Sequence, residues 1–306
     1  MSRTFRNLFP CAALVWIVWS LSVTSFSKPD PCVAVNTSLL HRGYPELSYP
    51  PGSRFLTLAN QSLKGHDDID GIMPLEEVMK ELQQHQTVLD EAAGGRVHII
   101  GNLGWFRHAT FEWYNAVTMS NIKNVCEIGF GAGHTATITL TANSKVHLYM
   151  FDIFPEDRNE VEETVERQHI FQAAALARLQ HLFEGRYEQI SGLSTNTVPQ
   201  FAKNNQGVKC DVILVDGSHA VGAPLEDLRN MKHLSHSKTI VYLDDMNTPL
   251  HRDLDTAVEI GLVTIEDCSW YGRSLDLRFA PGPQYRSGKT FCRIRYNFGD
   301  PSDPIM

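Results

Sequence analysis

Four aspartates stand directly after three apolar runs in this chain, and a glycine-rich turn follows a fourth run. The three runs read Tyr149-Met150-Phe151-Asp152, Ile213-Leu214-Val215-Asp216 and Val241-Tyr242-Leu243-Asp244-Asp245. The fourth reads Val125-Cys126-Glu127-Ile128-Gly129-Phe130-Gly131-Ala132-Gly133-His134-Thr135. Glycine lets a backbone turn sharply at a strand end and still come close to a ligand. Strand, glycine turn and helix together therefore predict a nucleotide-sized pocket. Glu127, just before the turn, can accept hydrogen bonds from loop amides or from a cationic ligand. Any one acid after an apolar run is ordinarily a helix cap or a solvated loop residue. Four at three strand ends, on the edge that carries the glycine turn, point instead to a site, because ligands of open α/β sheets bind beyond the carboxyl ends of the strands.

The elements that must position these residues alternate regularly. Strands fit Asn124 to Ile128, Val146 to Phe151, Tyr187 to Ile190, Val212 to Val215 and Thr239 to Leu243. Helices fit His134 to Ala142, Val161 to Leu182, Ser194 to Lys203, Pro224 to Lys232 and Leu250 to Ile260. Continuous apolar strands alternating with helices predict a parallel sheet covered on both faces. Ahead of them, Leu75, Val78, Met79, Leu82 and Leu89 recur near helical spacing, and an aromatic-rich helix fits Phe106 to Ser120. At the end, Leu262 to Ile265 and Phe291 to Tyr296, around Pro281-Gly282-Pro283, read as an antiparallel hairpin. The expected fold class is α/β, a Rossmann-like doubly wound, mostly parallel seven-stranded sheet closed by that hairpin.

A length of 306 residues suits one large domain with appendages. The net charge of -8 argues against general nucleic-acid binding, which needs a basic surface. Arg3 and Arg6 precede an apolar stretch from Leu8 to Val23, and small residues follow at Ser25 and Ser27. Residues 1–27 therefore read as a cleaved signal peptide or as an uncleaved anchor, the only expected link to a membrane. Either way the domain belongs in the secretory pathway, secreted or in the Golgi or endoplasmic-reticulum lumen. Two sequons, Asn36-Thr37-Ser38 and Asn60-Gln61-Ser62, fall in the linker of residues 28–70 and agree with that routing. The main domain is expected over residues 71–306.

Removing Cys11 with the leader leaves five of six cysteines. Cys268 and Cys292 flank the hairpin, so a disulfide between them is expected in an oxidising lumen. Cys126 lies near the end of one central strand and Cys210 before the start of another; if those strands are parallel neighbours, the offset is about three residues, roughly 10 Å. That exceeds disulfide reach and predicts two buried thiols. Cys32 is left to pair with another chain.

The pattern resembles the class I S-adenosylmethionine-dependent methyltransferases. More narrowly, it is similar to the metal-dependent O-methyltransferases, the catechol, caffeoyl-CoA and sugar enzymes among them. The resemblance covers about Leu75 to Asn297. It is strongest in Glu127 to Thr135, in Asp216-Gly217-Ser218-His219 and in Asp244-Asp245. It implies that Glu127, Gly129, Gly131 and Gly133 pack against the methionine part of S-adenosyl-L-methionine and that Asp152 takes the ribose hydroxyls. Ser194 would border the adenine, or serve simply as a helix N-cap. Asp216, Asp244 and Asp245 would hold Mg²⁺, a hard cation that prefers oxygen ligands.

The implied reaction is methyl transfer to a small hydroxylated acceptor such as a sugar. A coordinated cation lowers the hydroxyl pKa and a general base removes the proton. His219 is the first candidate for that base, with Asp216 beside it as a catalytic carboxylate. At the position of Ser218 the sugar enzymes carry an acid and the catechol type a lysine, so this chain departs from both. Two other classes stay open. One is a nicotinamide-dependent oxidoreductase, against which His134 stands where that fingerprint wants glycine or alanine. The other is a secreted, non-catalytic binding protein on the same scaffold. Trp105, Phe106 and Trp113 either line an acceptor pocket or belong to the core.

Overall fold

The computed structural model describes residues 70–94, 107–154, 163–244, 248–270 and 290–298. Contacts cluster the chain into two units, residues 1–49 and 50–306, and every described residue lies in the second. The expected leader, both sequons, Cys32, Trp105, Phe106 and Asp245 lie outside the described residues. No helix among the described residues is long and apolar enough to cross a membrane.

Two helices, α1 (Leu75–Ala92) and α2 (Arg107–Val117), precede the alternating part. Then come β1 (Asn124–Ile128), α3 (His134–Ala142), β2 (His147–Asp152), α4 (Glu163–Phe183), β3 (Tyr187–Ser191) and α5 (Ser194–Asn204). They are followed by β4 (Val212–Val215), α6 (Ala223–Lys232), β5 (Ile240–Leu243), α7 (Thr248–Glu259), β6 (Val263–Trp270) and β7 (Thr290–Tyr296). One seven-stranded sheet runs β3-β2-β1-β4-β5-β7-β6. Its first five strands are parallel and β7 is antiparallel to both neighbours.

This order follows from the side chains. Val212 to Val215 and Ile240 to Leu243 are buried on both faces, as central parallel strands must be. One core cluster joins Val125, Leu148, Leu214 and Tyr242 to α1–α4, while Cys126, Ile213, Val215 and Leu243 face α5, α6 and α7 on the other side. Strand order reverses between β1 and β4, where the crevice of a doubly wound sheet lies. β6 runs five residues past its expected end because it pairs with β7 as far as Trp270↔Thr290. Its polar Glu266 and Asp267 are tolerated because an edge strand shows one side to water.

The disulfide expectation needs one correction. Cys268 and Cys292 are joined, as the hairpin predicts, but Cys126 and Cys210 are joined too, with their Cα atoms 5.8 Å apart. The offset argument placed Cys210 on the line of β4. That strand begins only at Val212, and Cys210 lies in the buried cluster on the face toward which Cys126 points. The separation along the strand is therefore not the separation between the sulfurs.

Candidate active site

The site grows from the turn between β1 and α3. The Gly129 amide donates to the Phe151 carbonyl (2.9 Å) and the Asp216 amide to the Ile128 carbonyl (2.8 Å), so the loops after β1, β2 and β4 meet at one point. Gly129 has φ 93°, and a Cβ there would stand 1.9 Å from the carbonyl oxygen of Asp216. Gly131 is left-handed as well (φ 53°), yet nothing lies within 4 Å of the place its Cβ would take. The first glycine lets two loops touch; the second leaves backbone open to a ligand. Gly133 caps α3, packed against the Phe130 ring and Ala175.

Asp152 fastens this turn. Its Oδ2 accepts from the amides of Phe130 (2.9 Å) and Gly131 (3.2 Å) and from Nε2 of Gln172 (3.1 Å), while Oδ1 accepts from the Ile153 amide (2.6 Å). Glu127 lies beneath the turn, wholly buried, with Oε1 accepting from the Thr135 hydroxyl and Oε2 without a hydrogen-bond partner. Burial pushes its carboxyl up to about 8; the Thr135 bond opposes this and the charges of Asp216 and Asp152 reinforce it. Glu127 is therefore a neutral acid at pH 7.

On the β4 side, Nε2 of His219 stands 3.7 Å from Oδ1 of Asp216. Val215 pairs with Leu243 in register, so Asp216 and Asp244 leave adjacent strands side by side. Among the described residues no three acids, histidines or cysteines stand close enough to hold a metal ion. The carboxylates of Asp216 and Asp244, at the ends of adjacent strands, are oxygen donors of the kind a hard cation takes. The loop itself is anchored, the Gly222 amide donating to Oδ2 of buried Asp253 on α7 (2.8 Å).

Ser194 is the first residue of α5, with Leu193 as the N-cap, so it is not the cap. Its hydroxyl donates to Oδ1 of Asp227 (2.6 Å), tying the turn after β3 to α6. Trp113 belongs to the core: it is wholly buried, and its indole donates to Thr139 Oγ1 (2.9 Å).

Three buried polar residues were missed from sequence. His85 on α1 is wholly buried and its Nε2 donates to the carbonyl of Ala132 in the turn (2.8 Å). Its place in the stripe Leu75, Val78, Leu82, His85, Leu89 was a legible signal, a polar side chain on an apolar row. Glu112 on α2 is 8% exposed, and burial lifts it to about 7, with Arg293 opposing and Asp267 reinforcing. Neither it nor Gln172 carried any signal of spacing.

Residues 126–246 match a family model described as a methyltransferase domain. No curated protein matches the sequence. Among solved structures, the chain is similar to the O-methyltransferase of Bacillus cereus in complex with S-adenosylhomocysteine (12% identity over 78% of this chain and 100% of that one, TM-score 0.47). It is similar also to an S-adenosylhomocysteine-bound methyltransferase of Podospora anserina (11%, 79% and 96%, TM-score 0.48). An N-methyltransferase of Bradyrhizobium japonicum in complex with S-adenosylhomocysteine is a third (13%, 71% and 98%, TM-score 0.44). These likenesses carry no argument about substrate, and they span oxygen and nitrogen acceptors. Residues 126–246 are thus similar to the methyltransferase-domain family, within an α/β, Rossmann-like seven-stranded sheet that is parallel over five strands and closed by an antiparallel pair.

Proposed function

We propose that the protein is an S-adenosylmethionine-dependent O-methyltransferase of the secretory pathway, assisted by Mg²⁺ and acting on a small hydroxylated acceptor such as a sugar. The observation that carries this reading is the contact of Gly129 with Asp216, which joins the open turn at Gly131 to the acids after β4 and β5. When bound, the cofactor supplies a sulfonium methyl, and a cation supplies positive charge beside the acceptor oxygen.

The chain's own residues do the rest. Asp152 holds the turn in shape through the Phe130 and Gly131 amides. Asp216 and Asp244, with Asp245, are the residues that would hold the ion. His219 takes the hydroxyl proton, and the Asp216 carboxylate beside its Nε2 stabilises the imidazolium that results. Routing through the lumen is supported by the two disulfides, which engage all four cysteines among the described residues.

Purified protein incubated with radiolabelled S-adenosylmethionine, Mg²⁺ and a panel of sugars and catechols tests the activity. Label transferred to a hydroxyl oxygen supports it. S-adenosylhomocysteine binding without transfer to any acceptor favours the non-catalytic scaffold instead. Expressed in animal cells, the protein should lose mass on treatment with a peptide N-glycosidase, unless Asn36 and Asn60 are both changed to Gln. An unglycosylated cytosolic product would sink the routing.

A further inference from the structure

Helix α4 reaches the glycine turn at two points. Ala175 stands 3.2 Å from the position a Gly133 Cβ would take, and one turn earlier Gln172 reaches Asp152. Gln172 is 3% exposed. Its Nε2 donates to the same Asp152 oxygen that receives the amides of Phe130 and Gly131. Its Oε1 is buried without a hydrogen-bond partner. An amide that leaves its oxygen unpaired in the interior is a poor choice for packing alone, since leucine would fill much the same space without that penalty. What the glutamine adds is the bond from Nε2, and a carboxylate that must hold two loop amides needs its orientation fixed.

We propose that Gln172 is a positioning residue of the cofactor site, acting through Asp152 to set the shape of the glycine turn and hence the affinity for S-adenosylmethionine. The inference rests on the cofactor reading above. The titratable groups nearby come from three elements besides β2 and α4. Glu127 approaches Asp152 from β1 and Asp216 bears on the same Glu127 from the end of β4, while farther along α4 Arg178 pairs with Glu81 of α1, the helix that also carries His85.

The test replaces one hydrogen-bond donor by a titrating one. The carboxyl group introduced by Gln172→Glu can still donate to Asp152 while it carries a proton, but once ionised it repels that carboxylate. Calorimetry with S-adenosylhomocysteine should give near-native affinity at about pH 5.5 and a loss of about tenfold or more, relative to wild type, by about pH 8.5. Gln172→Leu should lose affinity at every pH, with the wild-type pH profile. Wild-type affinity and profile in both variants would overturn the proposal.

Amide exchange at Phe130 and Gly131 reads the same claim without ligand. It should quicken in Gln172→Leu at every pH and in Gln172→Glu only at the higher pH. Unchanged exchange in both variants would refute the positioning role. If the wild type binds no S-adenosylhomocysteine, the cofactor reading fails, and the exchange rates still decide what Gln172 does to the turn.

Discussion

Gly129 and Asp216 touch so closely that a single methyl group would not fit between them: a Cβ on the glycine would stand 1.9 Å from the aspartate's carbonyl oxygen. This contact sets the distance between the turn after β1 and the acids after β4. Because the obstacle is backbone, held by the bond from the Asp216 amide to the Ile128 carbonyl, it cannot swing aside as a side chain would.

Gly129→Ala should therefore disrupt both halves of the site. The left-handed φ and the clash together are expected to lower stability by roughly 2–4 kcal/mol and to weaken S-adenosylhomocysteine binding at least about tenfold. Thermal melts and calorimetry check this. Wild-type affinity in the variant would mean that the two loops do not meet as described.

Asp152 receives three donors on one oxygen, so Asp152→Ala leaves two loop amides and Gln172 without an acceptor. Cofactor affinity should fall by about tenfold or more, since hydrogen bonds to a charged group each contribute roughly 1.5–3 kcal/mol. Asp152→Asn, which keeps an acceptor oxygen, should fall less. Equal affinity in wild type and Asp152→Ala, measured by calorimetry, would rule out the fastening role.

Glu127 gives a pH dependence with a definite sign. Its folded pKa of about 8 lies above the ordinary 4.5, so the folded state keeps a proton that the unfolded chain releases. Stability contributed through this group is lost as pH rises from about 4.5 to about 8 and levels off above that. Glu127→Gln can still accept from Thr135 and does not titrate. Its stability advantage over wild type should grow across that window, to the order of several kcal/mol. Denaturant midpoints at pH 5 and pH 8.5 that differ equally for both proteins would contradict the buried neutral acid.

The metal is tested by removal. Chelation should abolish methyl transfer, and saturating Mg²⁺ should raise the melting temperature by mass action. Asp244→Asn should remove that rise while leaving S-adenosylhomocysteine affinity intact, since the cofactor's expected contacts lie after β1, β2 and β3. Full activity in excess EDTA, lost in His219→Ala, would favour proton removal by the imidazole alone.

The Cys126–Cys210 disulfide closes a sequence separation of 84 residues across β1 and β4. Changing both residues to Ser should lower stability by about 2–4 kcal/mol. Two fewer protected thiols on mass mapping of the variant, alkylated in denaturant without reductant, would accompany it. If both thiols of the wild-type protein alkylate under those conditions, the disulfide is absent.

The sequence by itself determined the order of elements and the edge at which the site lies. Apolar runs such as Val212 to Val215 can only be buried strands, and the acids and glycines that follow them must gather at their carboxyl ends. The boundaries of β1, α3 and β4 were legible to the residue, because a glycine turn, an asparagine or an aspartate stops each run. What remained hidden were relations between residues far apart in the chain. Gln172 is an ordinary helical glutamine until α4 is laid behind the turn, and Ser194 faces Asp227 only once α5 and α6 are packed. Cys126 and Cys210 meet because the chain lies on the sheet's face before it enters β4, a departure that no strand register read from spacing contains. Periodicity fixes which face of an element is buried, but the partner across that face is chosen only when the layers pack, and there the tertiary structure decided.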